Sequence, residues 1–297
     1  MTSVRGAAAA LTGAASGIGR ALALELAERN CELALGDRDE AGLLAVAAEI
    51  AKIGPQRVTT HIVDVSKPDQ IQNFAQQAIS SHPDLNILIN NAGVALIGGF
   101  HEIDQEQMDW LMDVNFWGVV HATRAFLPHL AQQHEAHIVN VSSIFGIIAP
   151  PGQTAYAAAK FAVRGFSESL RHELETAGSP IKLSLVHPGG VVTNIARNAY
   201  SGAALADNSR RAEALKRFAS AARTTPKAAA QRIVEGIEHN HPRILIGFDA
   251  QFVDNLQRLQ PETYWQQLAN IFNERKAPKP EKAKSPRTKV GLSGRKP

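Results

Sequence analysis

The sequence predicts a single α/β domain, a doubly wound parallel sheet of about seven strands with helices on both faces. Three observations carry this. Short apolar runs alternate with longer segments of helical period, the pattern of successive βαβ units. The runs are apolar on both faces, as in Leu85, Ile87, Leu88 and Ile89 or Ile138, Val139 and Val141, so helices must cover both sides. A glycine-rich turn, Thr12-Gly13-Ala14-Ala15-Ser16-Gly17-Ile18-Gly19, follows the first run and opens the first helical segment.

In chain order the expected strands are 7–12, 31–36, 57–63, 85–90, 136–142, 181–187 and 243–247. Helical segments fall near 18–29, 39–53, 67–81, 105–133, 154–177 and 226–239. The alanines at 7–10 are weak strand formers, and the turn after them is what assigns the strand. The alternation breaks at 194–224, a polar Ala/Ser/Asn-rich insertion with an amphipathic stretch around Arg210–Ala219. A long insertion of this kind reads as a lid or substrate loop. The body therefore spans 1–248, a helical extension carrying Phe252, Leu256, Leu259, Tyr264, Trp265, Leu268 and Ile271 spans 249–274, and 275–297 forms a tail.

That tail holds nine Lys/Arg against Glu281, a charge of +8 within a chain total of +3, which leaves residues 1–274 at −5. It is rich in Pro, Lys and Ser and reads as disordered. The acidic body gives no reason to expect a nucleic-acid partner, although a basic tail can recruit a domain to RNA or an anionic membrane. Cys31 stands alone, which excludes an internal disulfide framework, and between apolar neighbours it reads as a buried, inert thiol. The uncharged stretch 138–159 is broken by Asn140, Ser142, Ser143, Pro150, Pro151 and Gln153, whereas a membrane span needs about 20 apolar residues. A soluble cytoplasmic protein is expected. His134 and His137 straddle a helix end without companion acids or thiols, and no metal site is predicted.

The turn carries the first chemistry. Gly13, Gly17 and Gly19, with Ser16 and Ile18 between them, allow a tight bend and close approach to phosphate, and the helix start offers free N–H groups. Their spacing, G-x-x-x-G-x-G, differs from the common G-x-G-x-x-G. Asp37 ends the second strand 18 residues after Gly19, where a carboxylate can grip the ribose of NAD and repel a 2′-phosphate. Arg38 beside it could instead pair with the phosphate of NADP, and Asp37 could simply cap a helix. The balance favours NAD. Tyr156 and Lys160 share a helix face, so an ammonium and a positive nicotinamide would favour phenolate and lower a tyrosine pKa of ~10. Taken alone, the pair could also lie on a solvated face.

Together these motifs resemble the short-chain dehydrogenases/reductases, from about residue 7 to 247. The family's T-G-x-x-x-G-x-G matches Thr12–Gly19, its N-N-A-G matches Asn90-Asn91-Ala92-Gly93, and its P-G-x-x-x-T matches Pro188-Gly189-Gly190-Val191-Val192-Thr193. Its catalytic Asn matches Asn115, its Ser matches Ser143, 13 residues before Tyr156, and its Y-x-x-x-K matches Tyr156–Lys160. The resemblance implies a Rossmann-type NAD(P)-dependent oxidoreductase that moves a hydride between nicotinamide and substrate carbon. It implies Tyr156 as acid/base, Ser143 on the substrate oxygen, and Lys160 on the nicotinamide ribose. Asn115 would interrupt its helix and hold a water that links Lys160 to solvent. Asp64 and Val65 would contact adenine and Thr193 the carboxamide, with Asn91, Ala92, Gly93, Pro188, Gly189 and Val191 completing the cofactor set. A homodimer or homotetramer is implied, paired through the fourth helix, which carries Trp110, Phe116, Trp117 and Phe126, and through the helix of Tyr156. Ser142 rivals Ser143, but adjacent strand residues face opposite sides and only one can reach the site.

The segments expected to line the substrate pocket are Val94-Ala95-Leu96-Ile97, Ile144-Phe145, Ile147-Ile148, Pro150-Pro151 and Ile195, with no Arg or Lys among them. This predicts a hydrophobic secondary alcohol or its ketone as substrate. The alternatives are an NADPH-dependent carbonyl reductase and a non-catalytic dinucleotide-binding sensor, which would have no need of Asn115, Ser143, Tyr156 and Lys160 together.

Overall fold

A computed structural model describes residues 1–193, 195, 199–201 and 222–274. Most of the insertion at 194–224, including Arg210–Ala219, and the tail at 275–297 lie outside the described residues.

All seven predicted runs form one parallel sheet. In chain order they are β1 (Ala8–Thr12), β2 (Glu32–Asp37), β3 (Val58–Ile62) and β4 (Leu85–Asn90). A short β5 (Leu96–Ile97) precedes β6 (Ala136–Val141) and β7 (Ile181–Pro188), and a short β8 (Tyr200–Ser201) precedes β9 (Arg243–Ile246). The strand order is β3-β2-β1-β4-β6-β7-β9, while β5 and β8 pair separately. Chain order reverses between β1 and β4, which opens a crevice beyond their carboxyl ends, the usual ligand position in such sheets.

The helices are α1 (Gly17–Ala27), α2 (Glu40–Ile50), α3 (Pro68–Ser81), α4 (Gln105–Met112), α5 (Gly118–Leu130), α6 (Thr154–Thr176), α7 (Pro226–Glu238), α8 (Phe248–Leu259) and α9 (Tyr264–Glu274). Strand alternation divides the core into two layers. Ala9 and Leu11 meet Leu22, Leu26, Ile233 and Ile237 from α1 and α7, while Ala8 and Ala10 join Phe74 and Phe126 from α3 and α5. Alanine is a poor strand former, yet β1 is paired on both edges, and that pairing outweighs propensity. On the α5 and α6 face Asn90 donates to Asn140 (2.8 Å) and Thr123 (3.1 Å), and Asn140 donates to Ser167 (2.9 Å), while Asn90 Oδ1 is buried without a partner among the described residues.

Residues 105–133, expected as one helix, contain α4, a π-helical turn at Asp113–Trp117 and α5. The wider turn displaces Asn115 from the regular helical path, a distortion that often marks functional positions. His137 has both ring nitrogens partnered, by Thr2 and Ser184, as a core histidine. Cys31 is buried with its thiol on the Val4 carbonyl, and burial pushes its pKa up to about 12. No helix of the described residues is long and apolar enough to cross a membrane.

Candidate active site

The crevice begins at the glycine turn. Gly13 has φ +68°, and a Cβ there would lie 2.7 Å from the Ala92 Cα, so only glycine lets the turns after β1 and β4 touch. Thr12 Oγ1 accepts the N–H groups of Asn91 (3.1 Å) and Ala92 (3.2 Å). Asn91 Nδ2 returns bonds to the carbonyls of Thr12 (3.1 Å) and Gly13 (3.0 Å), so its side chain holds the turn in shape. A Cβ on Gly19 would fall on the Gly13 carbonyl.

Helix α1 starts after Ser16 with no side-chain cap and no acid in its first turn, which leaves N–H groups and the positive dipole end for an anion. Gly17, with φ +55°, sits against Thr193, whose Cγ2 would be 3.3 Å from an added Cβ. Pro188, Gly189 and Val191 lead into Thr193, and Asp249 at the start of α8 accepts the Gly190 N–H at 2.6 Å. Asp37 accepts from Ala15 N (3.0 Å) and Asp39 N (3.1 Å), which sets its carboxylate beside the turn. The cap of α2 is Asp39, on Gly42 N at 3.0 Å, so the capping reading of Asp37 is corrected. Arg38 is exposed. Asp64 accepts from Ser66 N (2.9 Å) and shapes the turn before α3, with Val65 buried beside it. A glycine-lined cradle, an uncapped helix start and an acid at the end of β2 are residues that fit a dinucleotide.

On the far side of β4, Gly93 separates Asn115 from Lys160. A Cβ on Gly93 would stand 3.2 Å from Asn115 Oδ1 and 3.5 Å from Lys160 Nζ. Asn115 spends its amide on Val94, accepting its N–H (2.8 Å) and donating to its carbonyl (2.9 Å). Lys160 is buried, donates to the Val141 carbonyl (3.1 Å), and lies 5.7 Å from the Tyr156 ring centroid. Ser143 caps the short 3-10 turn that follows β6, accepts Phe145 N (3.1 Å), and its hydroxyl lies close enough to the Tyr156 phenol to favour its ionised form. Ser142 points the other way and donates to the Lys160 carbonyl at 2.9 Å. The structure thus brings Asn115, Ser143, Tyr156 and Lys160 to one edge of the crevice.

In the protein alone, burial dominates the electrostatics of both groups. Burial pushes the Tyr156 phenol up to about 12, and the Ser143 hydrogen bond offsets only part of that. Burial also pulls Lys160 down to about 8. The lowered phenol expected above requires the positive nicotinamide as well as the ammonium, and in the protein alone desolvation governs the Tyr156 hydroxyl.

The expected pocket lining divides in two. Val94, Ala95, Ile97, Ile144, Phe145 and Ile195 stay partly exposed, and Phe145 packs edge-on to Tyr156 with ring centroids 6.1 Å apart. Ile147, Ile148 and Leu96 are buried and are not free lining. The two isoleucines seat Val253 and Leu268 of the C-terminal helices, and Leu96 packs on Leu111 and Ala155. Three supporting residues left no local signal in the sequence: Asp249, Tyr264 and His187. Tyr264 Oη accepts the Ala149 N–H at 3.1 Å. His187 Nδ1 donates to the Ser143 carbonyl at 2.8 Å, its Nε2 is buried without a partner, and burial lowers its pKa to about 4.

Residues 7–204 match the family profile described as short chain dehydrogenase. The chain is 42% identical over 269 residues to a Mycobacterium tuberculosis protein named as an oxidoreductase, SadH, covering 91% of this chain and 96% of that one. It is 34% identical over 183 residues to 3-oxoacyl-[acyl-carrier-protein] reductase FabG of Thermotoga maritima, covering 62% and 73%. A crystal structure of a short chain dehydrogenase/reductase from Burkholderia phymatum in complex with NAD superposes with TM-score 0.80 at 30% identity, covering 88% of this chain and 96% of that one.

Proposed function

Because the chain belongs to the short-chain dehydrogenase family and is an oxidoreductase of it, we propose that it interconverts a hydrophobic secondary alcohol and its ketone. The observation that carries this reading is the meeting of Tyr156, Ser143 and Lys160 beside a crevice whose partly exposed lining is Val94, Ala95, Ile97, Ile144, Phe145 and Ile195. None of those residues can clamp a carboxylate or phosphate.

Two hydroxyls, on Tyr156 and Ser143, address one substrate oxygen. Tyr156 takes the alcohol proton in oxidation and returns it in reduction, and Ser143 donates to the oxygen as charge develops there. Lys160 is protonated below about 8, and an ammonium in a desolvated site stabilises phenolate more strongly than it would in water. His187 holds the Ser143 carbonyl and so fixes the serine's position. A nicotinamide dinucleotide, when bound, supplies the hydride acceptor or donor. Gly13, Ser16, Gly17, Ile18 and Gly19 would hold its phosphates and Asp37 a ribose, with Asp64 and Val65 near adenine. Ala92, Gly93, Lys160, Pro188, Gly189, Val191 and Thr193 would surround the other end, and Asn91 would act by holding the turn.

Asp37 beside the turn supports NAD, while the exposed Arg38 supports NADPH-dependent carbonyl reduction as the second reading. Fluorescence titration with NADH and NADPH tests the choice. Tighter NADH binding is expected, and Asp37→Ser should move the preference toward NADPH by about tenfold, since a repelling carboxylate is lost. A turnover panel of apolar secondary alcohols against charged hydroxy acids tests the substrate class. Turnover of the charged acids alone would reject it.

A further inference from the structure

Three glycines converge on one carboxylate. Asp249, in the first turn of α8, accepts the Gly190 N–H at 2.6 Å. A Cβ on Gly189 would run into both carboxylate oxygens, and one on Gly247 would meet Asp249 Oδ1 and stand 3.0 Å from Thr224 Oγ1. Gly247 has φ +92°, which by itself favours glycine, whereas Gly189 has no positive φ. At Gly189 it is therefore the acid, not the backbone conformation, that leaves no room for a side chain.

Main chain holds the rest of this corner. Gly189 N–H donates to the Ile246 carbonyl (2.9 Å), and the Gly190 carbonyl accepts the N–H groups of Arg223 (3.0 Å) and Thr224 (3.1 Å). Val192 N–H donates to the Thr224 carbonyl (2.9 Å). Among the described residues, Asp249 supplies the one side-chain hydrogen bond to 189–192. The segment then reaches Thr193, which packs on Gly17 at the start of α1. A single carboxylate thus ties the start of α8 to the segment that faces the glycine turn. An acid in a first turn also steadies the helix dipole, but that role requires no particular amide partner and no glycine opposite.

We propose that Asp249 is a positioning residue for the dinucleotide: its carboxylate sets the Gly189–Gly190 corner and thereby the placement of Thr193 at the nicotinamide end. It acts through the Gly190 amide and not on the reacting atoms. The inference rests on the dinucleotide reading above, in which Thr193 meets the carboxamide, and does not depend on which substrate is turned over.

Calorimetric titration of the full chain with NADH and with ADP-ribose, which lacks the nicotinamide, tests it. Asp249→Ala should weaken NADH and lower kcat by about tenfold each, with ADP-ribose affinity kept within about twofold. Asp249→Asn keeps an acceptor for Gly190 N–H and should stay within about threefold of the parent for both ligands. In the unliganded protein, exchange of the Gly190 amide should quicken by about tenfold in Asp249→Ala. Gly189→Ala should cost about tenfold in NADH affinity in the parent but no more than about twofold in Asp249→Ala, where the obstacle to its Cβ is gone. If Asp249→Ala does not fold, Asp249→Asn and Gly189→Ala carry the test. A parent that bound no NADH would reject the dinucleotide reading and this proposal with it. With a parent that binds, four outcomes overturn the proposal alone: unchanged NADH affinity in Asp249→Ala, equal weakening of NADH and ADP-ribose, no rescue by Asp249→Asn, or full NADH affinity in Gly189→Ala.

Discussion

On the side of the crevice formed by β1, α1 and β4, contacts are made by main chain and by side chains bonded to main chain: Gly13 against Ala92, Asn91 on two carbonyls, Asp37 on Ala15. On the side formed by residues 143–149 and the C-terminal helices, packed apolar side chains do most of the holding, with Ile147 and Ile148 against Val253 and Leu268. The first construction suits a ligand whose phosphates look alike in every cofactor of its class. The second can be re-cut by substitution without touching the backbone, which suits a wall facing a variable substrate. The comparison teaches that one side should fail abruptly when altered and the other by degrees.

The largest effect is expected from Gly13→Ala. Its Cβ would meet backbone rather than a flexible side chain, and the positive φ alone costs about 1–3 kcal/mol. Dinucleotide binding should fall by about a hundredfold or more in a fluorescence titration, and undiminished affinity would break the contrast.

Next comes acid sensitivity, from His187 behind Ser143 on the substrate side and from His137 at the amino end of β6. His187 and His137 have pKa values lowered by burial to about 4 and about 3 from 6.5. As pH falls below 6.5 the unfolded chain binds protons that the folded chain refuses, so stability present above 6.5 is lost progressively down to about 4 and then about 3. His187 alone accounts for about 3 kcal/mol of that loss. Urea midpoints measured across this window should drop with acid, and His187→Asn should flatten the upper part of the curve.

The smallest effect is expected from Tyr264→Phe. It removes the acceptor for Ala149 N–H, about 0.5–1.5 kcal/mol of stability, and should raise KM more than it lowers kcat because the segment 143–149 is loosened and not the chemistry. A change in kcat alone would sharpen the comparison in the other direction, tying α9 to Ser143 itself.

What could be read from sequence follows the same division. Apolar runs, the glycine turn and the Tyr156–Lys160 pair are local patterns, and local patterns set strands, bends and helix faces. The supports of the second wall join residues far apart in the chain: 44 positions between His187 and Ser143, 59 between Gly190 and Asp249, and 115 between Ala149 and Tyr264. No spacing marks such pairs. Ile147 and Ile148 therefore looked like pocket lining when their partners lay over a hundred residues away. The two-residue strands β5 and β8 are too short for periodicity to show, and the π turn at Asn115 changes helical phase by too little to see. For Tyr156 the sequence displays the neighbouring ammonium but not the burial that raises the phenol.

The account's central claim is that the Tyr156 hydroxyl, set beside Ser143 and Lys160, moves the substrate proton. Tyr156→Phe tests it most directly, with turnover and dinucleotide binding measured on the same preparation. The account predicts NADH binding within a few-fold of the parent and a loss of kcat of about 10²–10⁴-fold. Turnover kept within a few-fold of the parent, with binding intact, would contradict it.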